Sequence, residues 1–416
     1  MASTQAVRRA RPGDEAWVLC ILCIVSRCVR LPGRNEARDA GTCNSTPRQP
    51  GPIVAFLLGR DSPRKMPRPP AAQEISTVHI HNQGDAMKKS ILVLAGAVLA
   101  ALLAAAPAMA QKKTLAVVVK GLDNPFFTVL GDGCALWNKE NASAEYTCLY
   151  TGPASSADEA GEVQIVEDLI NKGVAGIAIS PSNAPAMATM LKAKNPKMPI
   201  MTIDADLAAA DRALRKTYLG TNNYDMGVLM AKHLKELKPS GGTVCMQLGN
   251  VAADNINARA AGFRDTIGGK KGIDRLKGEG GWTEIAGCPL FTNDQIDLAN
   301  QQMSDVFTKN PKLDAFILVG GWAQFGPQAY AQVTDQVMPK LKSKELVIIA
   351  GDTLPPQLDA LKAGRSHAQI GQRPFEMGHR APAVLIDLIN GKQVADPLYT
   401  GLDECVPTNL DKCPAK

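Results

Sequence analysis

From residue 114 onward the chain alternates two kinds of pattern. Short, unbroken apolar runs rich in β-branched residues are followed by longer stretches whose apolar positions recur every three or four residues. TLAVVVK (114–120) is the first short run; a continuous apolar run of this kind predicts a strand buried on both faces of a parallel sheet. A helix is predicted from Thr128 to about Asn141, then a strand at AEYTCLY (144–150). Over 158–172, Val163, Val166, Leu169 and Ile170 share one helical face. GVAGIAISP then reads as strand, 185–194 as helix and PIMTID (199–204) as strand.

The rhythm restarts after residue 224. Helices are predicted over 225–238, 257–268, 294–309, 326–341 and 355–364, separated by strands at GGTVCMQLG, WTEIAGCPL, DAFILVG, ELVIIAGD and SHAQIGQ. Two runs of βα units, each four or five strands long, imply an α/β protein with two doubly wound parallel-sheet lobes.

The 416 residues are enough for two or three domains, and 45% hydrophobic with 21% charged content is ordinary for a soluble globular protein. The net charge of +6 is small for this length and forms no Lys/Arg stripe, so a nucleic-acid partner is not expected.

The first 86 residues differ: rich in Arg and Pro, without sustained period, and carrying Cys20, Cys23, Cys28 and Cys43. They read as a disordered extension upstream of the true start. The run AWVLCILCIV (16–25) is too short to span a bilayer. Cys20-x-x-Cys23 and the pair His79 and His81 lack the further ligands a metal site needs. MKKSILVLAGAVLAALLAAAPAMA (87–110) has the parts of a secretory signal: Lys88 and Lys89, an apolar run, and small residues at Ala108 and Ala110. Translation is expected to start at Met87 and the mature chain near Gln111. Because Gln111 is not Cys, no lipid anchor is implied there. Six cysteines remain beyond it, which in an exported protein suggests disulfides, with fifteen possible pairings, or else buried free thiols.

Ligands of doubly wound sheets bind outside the carboxyl ends of strands. The residues just past the predicted strands include Asp123 to Phe127, Ser182-Asn183, Asp204-Ala205-Asp206, Gly249-Asn250, Asn293-Asp294, Gly320-Gly321-Trp322, Asp352 and Gln372. Carboxylates and amides beside flat aromatic rings suit a sugar-like ligand. Each Asp or Asn could equally cap the helix that follows; it is the recurrence that points to a shared cleft.

LDNPFF (122–127), PIMTIDAD (199–206), YLGTNNYDMG (218–227), NINARAAGF (255–263), IIAGD (348–352) and IGQRPFEMG (370–378) occur in the order and spacing of one family. Residues 113–400 resemble the periplasmic sugar-binding proteins of the ribose-binding type, the substrate-binding components of ABC importers. The resemblance implies the type I periplasmic binding protein fold, two lobes joined by a three-strand hinge, acting as a monomer in the periplasm without a cofactor. One lobe would comprise 111–221 plus 373–400, and the other 222–372 plus 401–416.

By the same resemblance Asn124 bonds a hydroxyl, Phe126 and Phe127 sandwich the sugar ring, Asp204 and Asp352 bind hydroxyls, and Gln372 sits at a crossing. The pattern also departs from the family. An Arg is replaced by Ala205 and another by Asn257; Arg259 stands nearby; an Asn-Asp pair becomes Gly320-Gly321, followed by Trp322; and an aromatic is lost near Asn293. The ligand set expected is therefore Asn124, Phe126, Phe127, Asp204, Asn257, Arg259, Trp322, Asp352 and Gln372, for a sugar or polyol other than ribose. The family sheet order also implies the disulfides Cys134–Cys148, Cys245–Cys288 and Cys405–Cys413.

The implied role is capture of a monosaccharide or polyol by hinge closure and delivery to the permease subunits of an ABC importer. Presentation of the closed form to a chemoreceptor or sensor kinase is the alternative. A glycosidase using Asp204, Asp206 or Asp352 is disfavoured by the absence of any accompanying catalytic motif. A repressor effector domain is disfavoured by a signal sequence where a DNA-binding motif should stand.

Overall fold

The computed structural model describes residues 112–414. The extension, the signal sequence, the cleavage site and the motifs within them lie outside the described residues.

In chain order the first part forms β1 (Lys113–Val118), α1 (Pro125–Glu140), β2 (Tyr146–Thr151), α2 (Glu159–Lys172), β3 (Gly176–Ile179), α3 (Ala184–Lys194), β4 (Ile200–Ile203) and β5 (Tyr218–Gly220). There follow α4 (Asn223–Leu237), β6 (Gly242–Leu248), α5 (Asp254–Gly268), β7 (Trp282–Glu284), β8 (Leu290–Phe291), α6 (Ile296–Lys309) and β9 (Ala315–Leu318). The chain ends with α7 (Pro327–Asp335), α8 (Met338–Ser343), β10 (Val347–Gly351), α9 (Pro355–Lys362), β11 (Ala368–Gly371), α10 (Pro374–Ile389), β12 (Leu398–Tyr399) and β13 (Asp403–Cys405).

These strands make two sheets. The first runs β12-β5-β4-β3-β1-β2 and is parallel throughout. The second runs β13-β11-β10-β9-β6-β7, with β8 also on β6; it is parallel except for β13, which pairs antiparallel with β11. The fold is two parallel-sheet α/β lobes. The chain passes between the sheets after β5, after β11 and between β12 and β13.

Period two sorts the buried strand residues between the faces of the first sheet. Leu115, Val117 and Val119 pack with Phe127, Leu130, Met377 and Leu385 on one side. Ala116 and Val118 pack with Val166, Met187 and Leu191 on the other. The second sheet has its own core around Met246, Phe263, Phe316, Ile317, Ile348 and Ile349. Glycines let the helices above each sheet touch backbone to backbone. A β-carbon on Gly378 of α10 would run into the Leu130 carbonyl of α1, and one on Gly227 of α4 into the Arg259 carbonyl of α5. The YDMG and FEMG segments thus each place a glycine at a helix crossing.

Three of the departures from the sequence reading have a clear local cause. The helix expected from Thr128 begins at Pro125, because Asn124 caps it: its side chain accepts from Phe126 N at 3.0 Å, and Pro125 needs no N–H partner in the first turn. WTEIAGCPL is not one strand; it breaks around Gly287 (φ 81°), leaving β7 and β8 as separate pieces. The helix expected over 326–341 divides into α7 and α8, with Pro339 in the first turn of α8, where its missing N–H does no harm.

The three disulfides join Cys134 to Cys148, Cys245 to Cys288 and Cys405 to Cys413, with Cα separations of 5.9, 5.4 and 5.9 Å.

Candidate functional site

The carboxyl ends of both sheets face one cleft between the lobes. The first lobe lines it with Lys120, Asn124, Phe126, Phe127 and Asp204. The second contributes Asn255, Ile256, Arg259, Asp294, Gly320, Trp322, Phe325 and Asp352, and Gln372 comes from a crossing. The cleft holds at most about 320 Å³ of empty space, counting its open mouth. The free cavity within it is about 30 Å³, well below the usual range for ligand pockets.

Asp204 and Asp352 occupy matching places, one residue past β4 and β10. Both have left-handed backbone, φ 61° and 70°, a conformation that Asp tolerates better than most side chains. Asp204 Oδ2 accepts from Ser180 Oγ at 2.8 Å and lies 3.9 Å from Lys120 Nζ. Asp352 accepts from Gln372 Nε2 at 2.8 Å and from Gly321 N at 2.9 Å. Burial pushes the Asp352 carboxyl above its ordinary range, against the pull of Arg259 and Gln372.

Arg259 is buried, and each of its nitrogens donates to the protein: Nε to Asn223 Oδ1 (2.8 Å), Nη1 to Val319 O (2.8 Å) and Nη2 to Gln372 Oε1 (2.7 Å). Gln372 Oε1 also accepts from Thr221 Oγ1 at 2.9 Å. Arg259 therefore braces two crossings as well as lining the cleft.

The aromatic side chains differ from the expected sandwich. The Phe126 and Phe127 rings stand edge to face, 5.3 Å apart and 88° between planes, so no ligand ring fits between them. A flat ligand can therefore stack on only one of them; Trp322 and Phe325 of the second lobe also line the cleft. Trp322 lies close over Gly249 and Gly320, whose missing side chains make room for the indole.

Asn257 is outside the cleft. It is exposed, and its amide donates to Val251 O at 2.9 Å. Asn255 takes the inward place: two residues on a helix differ by about 200° in direction, so only one of the pair can face the ligand. Asp206 also points elsewhere, accepting from Thr202 and Arg215 and pairing with Arg212 at 3.1 Å. Asn183 caps α3 and donates to Glu159, and Asn293 is exposed.

Sequence reasoning passed over Lys120 and Phe325 and left Asp294 among the strand-end residues only. The signal for Lys120 was there: a cation closing the buried run TLAVVVK needs a partner. It has two, Asp204 across 3.9 Å and Asn255 Oδ1 at 3.3 Å, the latter on the other lobe.

The lobes touch around the cleft. Glu159 accepts from Asn250, Arg212 Nη2 lies 3.3 Å from Asp254 Oδ2, and Ala184 N donates to Ala252 O at 3.3 Å. Phe325 and Leu354 of the second lobe join the apolar cluster of the first. This is a closed cleft. Among the described residues, no group of three or more His, Cys, Asp or Glu side chains is placed to hold a metal ion, and no helix is long and apolar enough to cross a membrane.

Residues 115–393 match the periplasmic binding protein domain. The ribose import binding protein of Salmonella typhimurium is 23% identical over 307 residues, covering 74% of this chain and 94% of that one. The D-ribose/D-allose-binding protein of Pseudomonas aeruginosa is 25% identical over 215 residues, 50% of this chain and 62% of that one. Among solved structures, an ABC transporter solute-binding protein from Agrobacterium vitis with bound D-fucose superposes with a TM-score of 0.64 at 23% identity, covering 72% of this chain and 97% of that one. One from Burkholderia graminis in complex with D-arabinose gives 0.60 at 27% identity, covering 72% and 97%. Two parallel-sheet lobes closing on a single polar cleft, with a family match over most of the described chain, place this protein in the periplasmic binding protein family, among the sugar-binding proteins of the ribose-binding type.

Proposed function

We propose that this chain captures one monosaccharide or polyol in the periplasm by closing its two lobes around it, and delivers it to an ABC importer. The observation that carries the reading is the cleft itself: carboxylates and amides from both lobes converge with aromatic side chains at one place. Polar side chains would pair with hydroxyls, and the aromatic faces would cover the apolar side of the ring. Because contacts come from both lobes, a bound ligand favours the closed state over the open one, and this difference in contacts drives closure. Asn124, Asp204 and Asp352 are the proposed hydroxyl binders; Lys120 and Asn255 join them. The signal sequence at 87–110 supports export.

A thermal-shift screen of pentoses, hexoses and polyols tests this. A ligand at 100 times its Kd adds about 2.7 kcal/mol to stability. No shift with any of them would overturn the proposal. Deleting the gene separates import from sensing: loss of uptake supports import, whereas loss of chemotaxis alone favours the sensor.

A further inference from the structure

Asp294 is buried, 7% exposed, and its Oδ1 has no hydrogen-bond partner in the protein. It lines the cleft from the second lobe. A buried carboxylate oxygen without a donor is costly unless something else supplies one. The other two carboxylates of the cleft have their donors: Asp352 from Gln372 and Gly321, Asp204 from Ser180.

The chain goes out of its way to hold this group in place. Just past β8, Asn293 and Asp294 are both left-handed, with φ 48° and 60°. The turn is pinned by Asp294 N donating to Thr292 Oγ1 at 3.1 Å, Gln295 N to Thr292 O at 3.0 Å and Asn293 N to Gly249 O at 3.3 Å. A β-carbon on Gly249 would occupy the space of Asp294 Oδ1, so the position opposite is left empty for it. Burial raises its proton affinity; Lys120, Arg259 and the Asn250 backbone N–H favour the carboxylate, and Asp204 repels it.

We propose that Asp294 is a residue by which the second lobe selects its ligand, beside Asp352 and Asn255: its free Oδ1 accepts a hydrogen bond from a donor on the ligand ring, a hydroxyl or an amine. This rests on reading the cleft as a sugar or polyol site. Compounds without a donor at that ring position are rejected by on the order of 100-fold or more, since they leave Oδ1 buried without a donor.

The test uses Asp294→Asn, because Asn keeps the shape and tolerates left-handed backbone. Melting is measured without sugar at pH 8. Binding is then measured against pentoses, hexoses and polyols, together with the deoxy and amino counterparts of the tightest wild-type ligand. The expected result is that ligand-free Asp294→Asn melts at or above wild type, since the burial cost of the charge is gone, and that its affinity for that ligand falls about 100-fold. Wild type alone should reject one deoxy counterpart by a similar factor, a readout needing no variant. A gain with the amino counterpart at that position identifies an amine as the donor; a loss identifies a hydroxyl. A lower ligand-free melting temperature for Asp294→Asn, unchanged affinity, or equal binding of every deoxy counterpart overturns the proposal. If no compound shifts wild type, the sugar reading falls and the inference with it, whereas a failure confined to Asp294 leaves that reading standing.

Discussion

Arg259 Nη2 and Gln372 Oε1 meet at 2.7 Å, joining a helix of the second lobe to the crossing that follows β11. Gln372 also accepts from Thr221, at the crossing after β5, and donates to Asp352 in the cleft. Crossings and cleft thus share one hydrogen-bond network, and the side chain that ties the two crossings together also orients a pocket carboxylate.

Replacing Gln372 by Ala leaves Arg259, Thr221 and Asp352 each short of one partner. Stability should fall by about 2–3 kcal/mol, measured by urea unfolding, and affinity for the sugar found in the screen should fall with it. A stable variant with unchanged affinity would show that the network is dispensable.

The perpendicular phenylalanines predict unequal effects. Phe126→Leu and Phe127→Leu both keep apolar volume in the core, but only the ring lying flat on the ligand should matter. One variant should lose roughly tenfold in affinity and the other much less, by isothermal titration calorimetry. Equal losses would argue against an edge-to-face pair in the bound protein.

The disulfides close loops of different length, with sequence separations of 14, 43 and 8. On the chain-entropy account, losing Cys245–Cys288 costs about 4 kcal/mol and losing Cys405–Cys413 about 2.5. Paired Cys→Ser variants compared by calorimetry should follow that order.

Glu162 is deeply buried beside Ser182, whose N donates to its Oε2 at 2.8 Å, while Oε1 has no partner. Burial pushes its carboxyl up to about 7 from an ordinary 4.5. Between these values the folded protein holds a proton that the unfolded chain has lost, so stability falls as pH rises through this window and levels off above it. The whole decline is worth roughly 3 kcal/mol. His367 acts oppositely. Burial lowers its proton affinity below the ordinary 6.5, so its contribution is lost as pH falls below that value. Glu162→Gln should shrink the decline, leaving the smaller limbs of the like-signed Asp294 and Asp352 and the opposite His367 limb; an unchanged slope in melting experiments from pH 5 to 8 would contradict the assignment.

The alternation of apolar runs and helical stretches made the two parallel sheets legible, because a strand buried on both faces has few other readings. Asn-Pro before two phenylalanines was also legible as a cleft element, yet as loop rather than as a capped first turn. What the pattern could not carry was direction around a helix. Asn255 and Asn257 are the same residue type two positions apart, and only the placement of α5 decides which faces inward. The antiparallel β13 was equally hidden, since three residues carry no period. Trp322 was legible as a newcomer among the expected pocket residues, but the two glycines beneath it take their meaning only from strands that meet in space.

One of these, Gly249, is not part of the cleft's lining, yet a methyl there would press on both the indole of Trp322 and the carboxylate of Asp294. The dimensions of the guest are therefore governed from behind the wall. In this scaffold, ligand range can drift through a position that never meets the ligand, by pushing forward the two side chains that do.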